Sequence, residues 1–371
     1  MTEMPAARGW PFAGLAALLI ILVSDPFAND NSGNWGAIAE QGRSLGLIER
    51  GVVADRLELY RLATRPTEAL SLYVMGTSRA QQAIRTADDL GVPVDYAMLT
   101  HPGLQPFEML SLAHEVVSSH GDMVVIVASA FDTHRPLSLG PQTAPGSTSA
   151  WLDLTKAMGL PFAFAQRDVV LQLLLSSLLE TYRFRAIYSG LGPAAWRHFG
   201  EPPEGEGITR GLTPLVSHVL VDMDRALLHT RELFPFLPDN TLLQEIRLVQ
   251  GVTVGPHVPI QRALLRRTCE VLVEGGCEVV LLEGPLHPLA DRYHDASVRR
   301  HFLLFADELE HELGVQVLTL EDTGPYLSDD FADLTHLSVV GSAKLVAVLH
   351  ETLAPLAAER WAKRAPRAPA R

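Results

Sequence analysis

Short apolar runs alternate along this chain with longer segments in which apolar residues recur at helical spacing. A continuously apolar run of about six residues is typical of a strand that is covered on both faces, as in a parallel sheet. Five runs are predicted to be strands, at residues 70–75, 94–99, 123–128, 278–282 and 315–320. Helices are predicted at 80–90, 107–118, 259–274, 294–313 and 339–353. Because strand and helix alternate, the sequence predicts an α/β domain with a parallel sheet of about five strands and helices on both faces.

The regular alternation is interrupted after the third strand. Prolines and a Gly/Ser/Thr cluster follow, and a strongly apolar helical segment lies between Asp168 and Glu180. Only eleven residues separate these charges, which is too short to span a membrane. We expect the chain to have four parts. Residues 1–28 form a membrane anchor or signal segment, and residues 29–66 form a linker and a leading helix. Residues 67–356 form the α/β domain, with a mostly helical or loop insertion at about 136–250, and residues 357–371 form a basic, disordered tail.

The N-terminus holds sixteen uncharged residues between Arg8 and Asp25. A membrane span needs about 20 apolar residues and the core of a signal peptide about 7–15, so the length falls between the two. Arg8 before the segment and the aspartates after it favour an N-terminus inside the cell. We expect an uncleaved inner-membrane anchor with the main domain on the periplasmic side. Cleavage near Ala28 with release of the domain, and a buried N-terminal helix, are the alternatives.

Charge and cysteine content narrow the classes of partner. The chain has 371 residues and a formal net charge of −13, which argues against a nucleic-acid partner because such sites need a basic footprint. Cys269 and Cys277 are its two cysteines. Their spacing allows either a disulfide or two buried thiols, and neither has the company of a zinc site. We see no metal-binding pattern and no nucleotide-binding loop, so no cofactor is predicted.

Candidate chemistry lies at the two ends of the predicted domain. Ser78 follows the first strand in Gly76-Thr77-Ser78, and Asp333 and His336 lie after the fifth strand. A serine with a distant Asp-x-x-His contains the parts of a nucleophile, a general base and the group that orients the base. The alternative is that Ser78 only caps a helix and His336 is a structural loop histidine. The Gly-x-Ser-x-Gly elbow of α/β hydrolases is absent.

These motifs resemble the SGNH/GDSL hydrolase superfamily, in which the serine follows strand one and Asp and His share one Asp-x-x-His motif. The chain looks most like the membrane-anchored branch that contains alginate O-acetylation and teichoic-acid D-alanylation proteins. The resemblance implies a three-layer, flavodoxin-like sheet of the SGNH hydrolase type. It also implies a catalytic Ser78, His336 and Asp333, with the amides of Ser78 and Gly103 in the oxyanion hole.

The third motif of that superfamily, Gly-x-Asn-Asp, is absent from this chain. The third strand runs into Ser129-Ala130-Phe131-Asp132, so Phe131 stands near the place of the oxyanion-binding asparagine. Losing one such donor typically costs about 10²–10³ in rate. The candidates for a substitute donor or for substrate binding are Ser129, Asp132, Thr133, His134 and His287.

The resemblance implies an extracytoplasmic serine esterase or O-acyltransferase that acts on acylated cell-surface or secreted polysaccharide. Its partners would be an acylated glycan or small ester, the membrane through the N-terminal segment, and a polytopic membrane acyltransferase as acyl donor. Two alternatives stay open from the sequence. One is a catalytically weak or inactive glycan-binding scaffold, and the other is a small-ester hydrolase without polymer preference.

Overall fold

The computed structural model describes residues 69–84, 90–100, 103–134, 156, 223–252, 255, 257–293 and 297–364. The predicted segments at 1–66, and the insertion up to residue 222 except for Lys156, lie outside this set. Five strands form one all-parallel sheet in the order β2-β1-β3-β4-β5. They are β1 (Leu70–Gly76), β2 (Val94–Thr100), β3 (Met123–Ala128), β4 (Glu278–Glu283) and β5 (Gln316–Leu318). The prediction of an α/β fold with a five-stranded parallel sheet is confirmed.

The helices, within the described residues, follow the strands in the predicted alternation. They are α1 (Ser78–Ala83), α2 (Pro106–Ser118), α3 (Ala130–Thr133), α4 (Met223–Leu233), α5 (Asp239–Gln250), α6 (Val258–Glu274), α7 (Ser297–Leu313), α8 (Leu320–Thr323) and α9 (Val339–Lys363), with 3-10 turns at Ala290–Arg292 and Ser328–Asp330. The predicted fifth strand at 315–320 is too long, because residues 320–323 already form α8.

Both faces of the sheet are covered, because successive side chains of a strand point to opposite faces. In β1, Tyr73 and Met75 pack with α2, α6 and α7, whereas Leu72 and Val74 pack with α1 and α9. Cys269 and Cys277 belong to the first of these clusters and are free thiols. Burial raises the pKa of Cys269 to about 12 and that of Cys277 to about 11, so both are poor nucleophiles.

The last helix is longer than the sequence predicts. We expected it to end near Pro355 and the tail from 357 to be disordered, but α9 continues through Pro355 to Lys363. Ala357 is fully buried, and the guanidinium groups of Arg360 and Arg364 each lie 3.7 Å from the carboxylate of Asp122. These contacts stabilise the last turns and offset the loss of the Pro355 N–H. Residues 365–371 lie outside the described set.

Helix α9 is also the one described helix that is long and apolar enough, by length and composition, to cross a membrane. However, Leu345, Leu349 and Leu353 are buried against the sheet, in the same cluster as β1 and β3. One side of the helix therefore packs on the sheet, whereas Val339 and Val340 in its first turn are exposed.

A third apolar cluster lies beyond the sheet and contains the described end of the predicted insertion. Leu242, Ile246 and Val249 of α5 pack there with Phe302 of α7 and with Leu334, which is fully buried between Asp333 and His336. The insertion therefore packs directly against the loop that carries the Asp-x-x-His motif.

Candidate active site

Ser78 begins α1 at the end of β1, in a turn that only small residues allow. A Cβ on Gly76 would lie 2.5 Å from the Cβ of Ala80 and 3.0 Å from the carbonyl oxygen of Val127. Thr77 is the N-cap, and its hydroxyl accepts a hydrogen bond from the N–H of Arg79 at 3.3 Å. Since Thr77 caps the helix, the hydroxyl of Ser78 is left for other contacts.

The structure brings Ser78 together with the two distant candidates. The Oγ of Ser78 lies 2.9 Å from Nε2 of His336, although 258 residues separate them. Nδ1 of His336 lies 2.8 Å from Oδ2 and 3.0 Å from Oδ1 of Asp333. These hydrogen bonds assign the tautomer of His336. The neutral imidazole carries its proton on Nδ1, and Nε2 is free to accept the hydroxyl proton of Ser78. The geometry is that of a nucleophile, a base and an orienting carboxylate; their catalytic role stays a prediction.

Asp333 is held as a carboxylate by its own loop. Its Oδ1 accepts the backbone N–H groups of Thr335 and His336, each at 2.8 Å. Burial opposes ionisation, but the hydrogen bond and charge of His336, together with these amides, outweigh it and lower the pKa of Asp333. Asp333 therefore stays ionised and can stabilise an imidazolium at His336.

Backbone hydrogen bonds hold both ends of the Asp-x-x-His loop. The N–H of Ala332 donates to the carbonyl of His336 at 2.9 Å, and the N–H of Ser338 donates to the carbonyl of Asp330 at 2.8 Å. Gly341, in the first turn of α9, faces the carbonyl of Asp330 so closely that a Cβ would collide with it. The loop and the start of α9 therefore form one rigid unit, which fixes the position of the imidazole.

Arg79, directly after the candidate nucleophile, is buried, and sequence reasoning gave it no role. Its Nη1 donates to Oγ of Ser129 at 2.7 Å and to Oδ2 of Asp132 at 3.2 Å. Its Nη2 donates to the carbonyls of Gly284 and Pro285. One guanidinium thus ties the start of α1 to the loops after β3 and β4. Gly284 leaves room for this guanidinium, because a Cβ there would lie 2.7 Å from Nη2.

The four candidates that follow β3 are all engaged in local contacts. Oγ of Ser129 accepts from Arg79 and from the N–H of Phe131, and Oδ2 of Asp132 accepts the N–H of Ser129 at 2.8 Å. Thr133 and His134 have no exposed surface, and Oγ1 of Thr133 lies 2.9 Å from Nδ1 of His134. These contacts describe a capped, buried turn, and none of them reaches Ser78. Their role in substrate binding or as substitute oxyanion donors stays a prediction.

His287, after β4, is placed differently. Its Nδ1 accepts the N–H of Leu289 at 3.0 Å, so the neutral ring carries its proton on Nε2. Burial lowers the pKa of His287, only partly opposed by the charge of Asp333, and therefore keeps the ring neutral. Nε2 is buried and has no hydrogen-bond partner among the described residues. His287 is thus a buried N–H donor beside the Asp-x-x-His loop, where its own backbone N–H donates to the carbonyl of Leu334.

Gly103, the other predicted oxyanion residue, lies in the loop after β2 with a φ of 82°. This left-handed conformation is one that glycine adopts without strain. Its role as an amide donor stays a prediction.

Glu245 is a further acidic group at the site, and no sequence motif marked it. It lies on α5, is 9% exposed, and accepts the hydroxyl proton of Thr335 at 2.6 Å. Ligand atoms of Glu245, Asp333 and His336 all lie within 4.8 Å of one another, a spacing that a cation could also bridge. Here hydrogen bonds through Thr335 account for the close approach.

No protein-family model matches the chain, and no curated protein matches it. The function therefore has to be argued from the geometry of Ser78, His336 and Asp333.

Proposed function

We propose that this protein is an extracytoplasmic serine esterase or O-acyltransferase that acts on acylated polysaccharide. The observation that carries the proposal is the hydrogen-bonded series from Oγ of Ser78 to Nε2 of His336 at 2.9 Å and from Nδ1 to Oδ2 of Asp333 at 2.8 Å. The strand order 2-1-3-4-5 supports it, because flavodoxin-like sheets have this order and place ligands at the carboxyl ends of their strands. The SGNH-like identity of the fold is part of the proposal.

In the first half of the reaction, Oγ of Ser78 attacks the ester carbonyl while Nε2 of His336 takes its proton. Asp333 holds Nδ1–H and stabilises the imidazolium. The amides of Ser78 and Gly103 would donate to the developing oxyanion. His336 then returns the proton to the leaving alkoxide, and an acyl-serine remains.

The second half of the reaction separates an esterase from a transferase. Water or a sugar hydroxyl gives its proton to His336 and attacks the acyl-serine. As the bond between the acyl group and Ser78 breaks, His336 returns that proton to Oγ of Ser78, and a free acid or an acylated sugar is released. The N-terminal apolar segment supports a location at the membrane, facing the periplasm, where a polytopic acyltransferase would supply acyl groups. A small-ester hydrolase without polymer preference would use the same residues.

Covalent labelling tests this proposal. The full chain, treated with an alkyl fluorophosphonate, should gain the mass of one phosphonyl group at Ser78, and Ser78→Ala should abolish it. Ser118→Ala, at an exposed serine whose hydroxyl donates to the His114 carbonyl, is the matched control and should label like the wild type. A folded wild-type protein that neither labels nor hydrolyses p-nitrophenyl acetate would refute the proposal.

Acceptor use then decides between the two reactions. If the protein is a transferase, adding an oligosaccharide should accelerate release of p-nitrophenol and yield acylated sugar in the mass spectrum. If it is an esterase, the oligosaccharide should leave the rate unchanged and the products should be free acid and alcohol.

A further inference from the structure

Thr335 has a hydroxyl that three charged or polar groups of the site compete for. Its Oγ1 lies 2.6 Å from Oε2 of Glu245, 3.2 Å from Nδ1 of His336 and 3.3 Å from Oδ1 of Asp333. A hydroxyl has one proton to donate and two lone pairs that accept. The group that receives this proton therefore decides whether the other two face the proton or a lone pair of Oγ1.

The shortest of these contacts gives the proton to Glu245. A charge-assisted O–H···O⁻ bond is typically about 2.5–2.7 Å long, which the Thr335–Glu245 contact matches. The lone pairs of Oγ1 are then turned toward Nδ1–H of His336. Asp333 Oδ1 then accepts the backbone amides of Thr335 and His336, and Nδ1–H of His336 lies 2.8 Å from Oδ2 and 3.0 Å from Oδ1.

We propose that Glu245 is a positioning residue of the active site, which holds the hydroxyl proton of Thr335 away from Asp333 and so leaves the charge of that carboxylate to the imidazole of His336. This inference rests on the proposed function of Ser78, His336 and Asp333. Without Glu245, the hydroxyl of Thr335 rotates and donates to Oδ1 of Asp333. The carboxylate of Asp333 then accepts from both the hydroxyl of Thr335 and Nδ1–H of His336. It therefore stabilises the imidazolium of His336 less.

The burial of Glu245 makes its hydrogen bond with Thr335 important for its ionised form. A buried carboxylate is costly unless it is hydrogen-bonded. Burial, followed by the charge of Asp333, raises the pKa of Glu245, while the hydroxyl of Thr335 and the charges of His336 and Arg79 oppose this. Helix α5, which carries Glu245, therefore becomes part of the active site, although it belongs to the insertion and lies outside the α/β alternation.

Two variants separate this role from a general structural one. Glu245→Ala should slow fluorophosphonate labelling of Ser78 by on the order of 10- to 100-fold, the usual effect of one hydrogen bond to a charged group. Adding Thr335→Val removes the competing hydroxyl at nearly constant volume, and it should restore most of the lost rate. A purely structural Glu245 predicts the opposite, because a second buried substitution then adds a further loss.

Glu245→Gln keeps the test decisive if the alanine variant does not fold. Its amide oxygen can still accept from Thr335, so labelling should stay within a few-fold of the wild type. If Glu245→Ala labels at the wild-type rate, or if Thr335→Val fails to rescue it, the inference is wrong.

A spectroscopic readout distinguishes failure of this inference from failure of the proposed function. The Nδ1 proton of His336 should give a strongly downfield NMR resonance, which moves upfield in Glu245→Ala and back in the double variant. If the wild type shows no labelling but the resonance follows this pattern, the esterase proposal fails and the inference stands. If labelling occurs and the resonance is the same in all three proteins, only the inference fails.

Discussion

Nη1 of Arg79 donates to Oγ of Ser129 at 2.7 Å, so the residue after the candidate nucleophile is bonded to the first residue after β3. The same guanidinium reaches Asp132 and the two carbonyls that follow β4. Ser129 and Asp132 are candidates from the sequence for substrate binding or for a substitute oxyanion donor, and that role stays a prediction. In the structure both side chains contact Arg79 and so help to hold the start of α1, which carries Ser78.

Replacing Arg79 tests whether its guanidinium holds the start of α1 in place. Arg79→Ala leaves the buried Asp132 without its cation, and the free energy of unfolding should fall by about 3–5 kcal/mol. Urea denaturation measures it. Arg231→Ala removes an exposed ion pair with Asp239 and should cost no more than about 1 kcal/mol. Equal losses in the two variants would contradict the role of Arg79.

The three candidate catalytic residues should behave as one unit. His336→Ala removes the general base and should lower kcat/KM for p-nitrophenyl acetate by about 10²–10⁴. Asp333→Asn should cost nearly as much, because the imidazole loses the carboxylate that orients it. Combining either change with Ser78→Ala should be little worse than Ser78→Ala alone. Additive losses in folded proteins would show that Asp333 and His336 do not act on Ser78.

His287 is the remaining candidate for the missing oxyanion donor. His287→Phe keeps an aromatic ring between Phe234 and Phe331, whose centroids each lie 5.3 Å from that of His287, but removes the N–H. If Nε2–H donates to the oxyanion, kcat should fall by about 10²–10³ with little change in KM. His287→Gln, with an amide donor near the position of Nε2, should recover part of the rate. An unchanged kcat in the phenylalanine variant would assign His287 to packing.

His134 should make the fold sensitive to mild acid. Burial, the charge of Arg262 and the rings of His301 and His257 lower the pKa of His134 from 6.5 to about 4. Below pH 6.5 the unfolded chain therefore takes up a proton that the folded chain does not accept until about pH 4. The stability contributed by the neutral ring is complete above pH 6.5 and falls by about 3 kcal/mol as the pH drops to 4.

Urea denaturation at several pH values checks this. The stability difference between the wild type and His134→Asn should shrink by that amount between pH 7 and pH 4. The exposed His311→Asn variant measures the ordinary effect of losing a histidine. Parallel stability curves for the wild type and His134→Asn would refute the prediction.

The sequence by itself determined the sheet. Short, mostly apolar runs predicted β1 to β4 within one residue of their observed bounds, because the strands of a parallel sheet that helices cover carry few polar residues. It also determined the two ends of the candidate site. Ser78 lies in a strand–turn–helix segment that needs Gly76, and Asp333 and His336 lie in one short motif. A local sequence pattern was therefore enough to identify each end of the site.

Only the tertiary structure decided how the site is supported. Arg79 and Ser129 meet because β1 and β3 are neighbours in the sheet, and Glu245 reaches Thr335 because α5 packs on Leu334. It likewise decided that α9 passes Pro355, where burial of Ala357 and the pairing of Arg360 with Asp122 outweigh a local stop signal. Such contacts join residues far apart in sequence, and no periodicity or spacing records them. Hydrophobic pattern encodes which surfaces are buried, whereas the partner of each buried polar group depends on which elements meet.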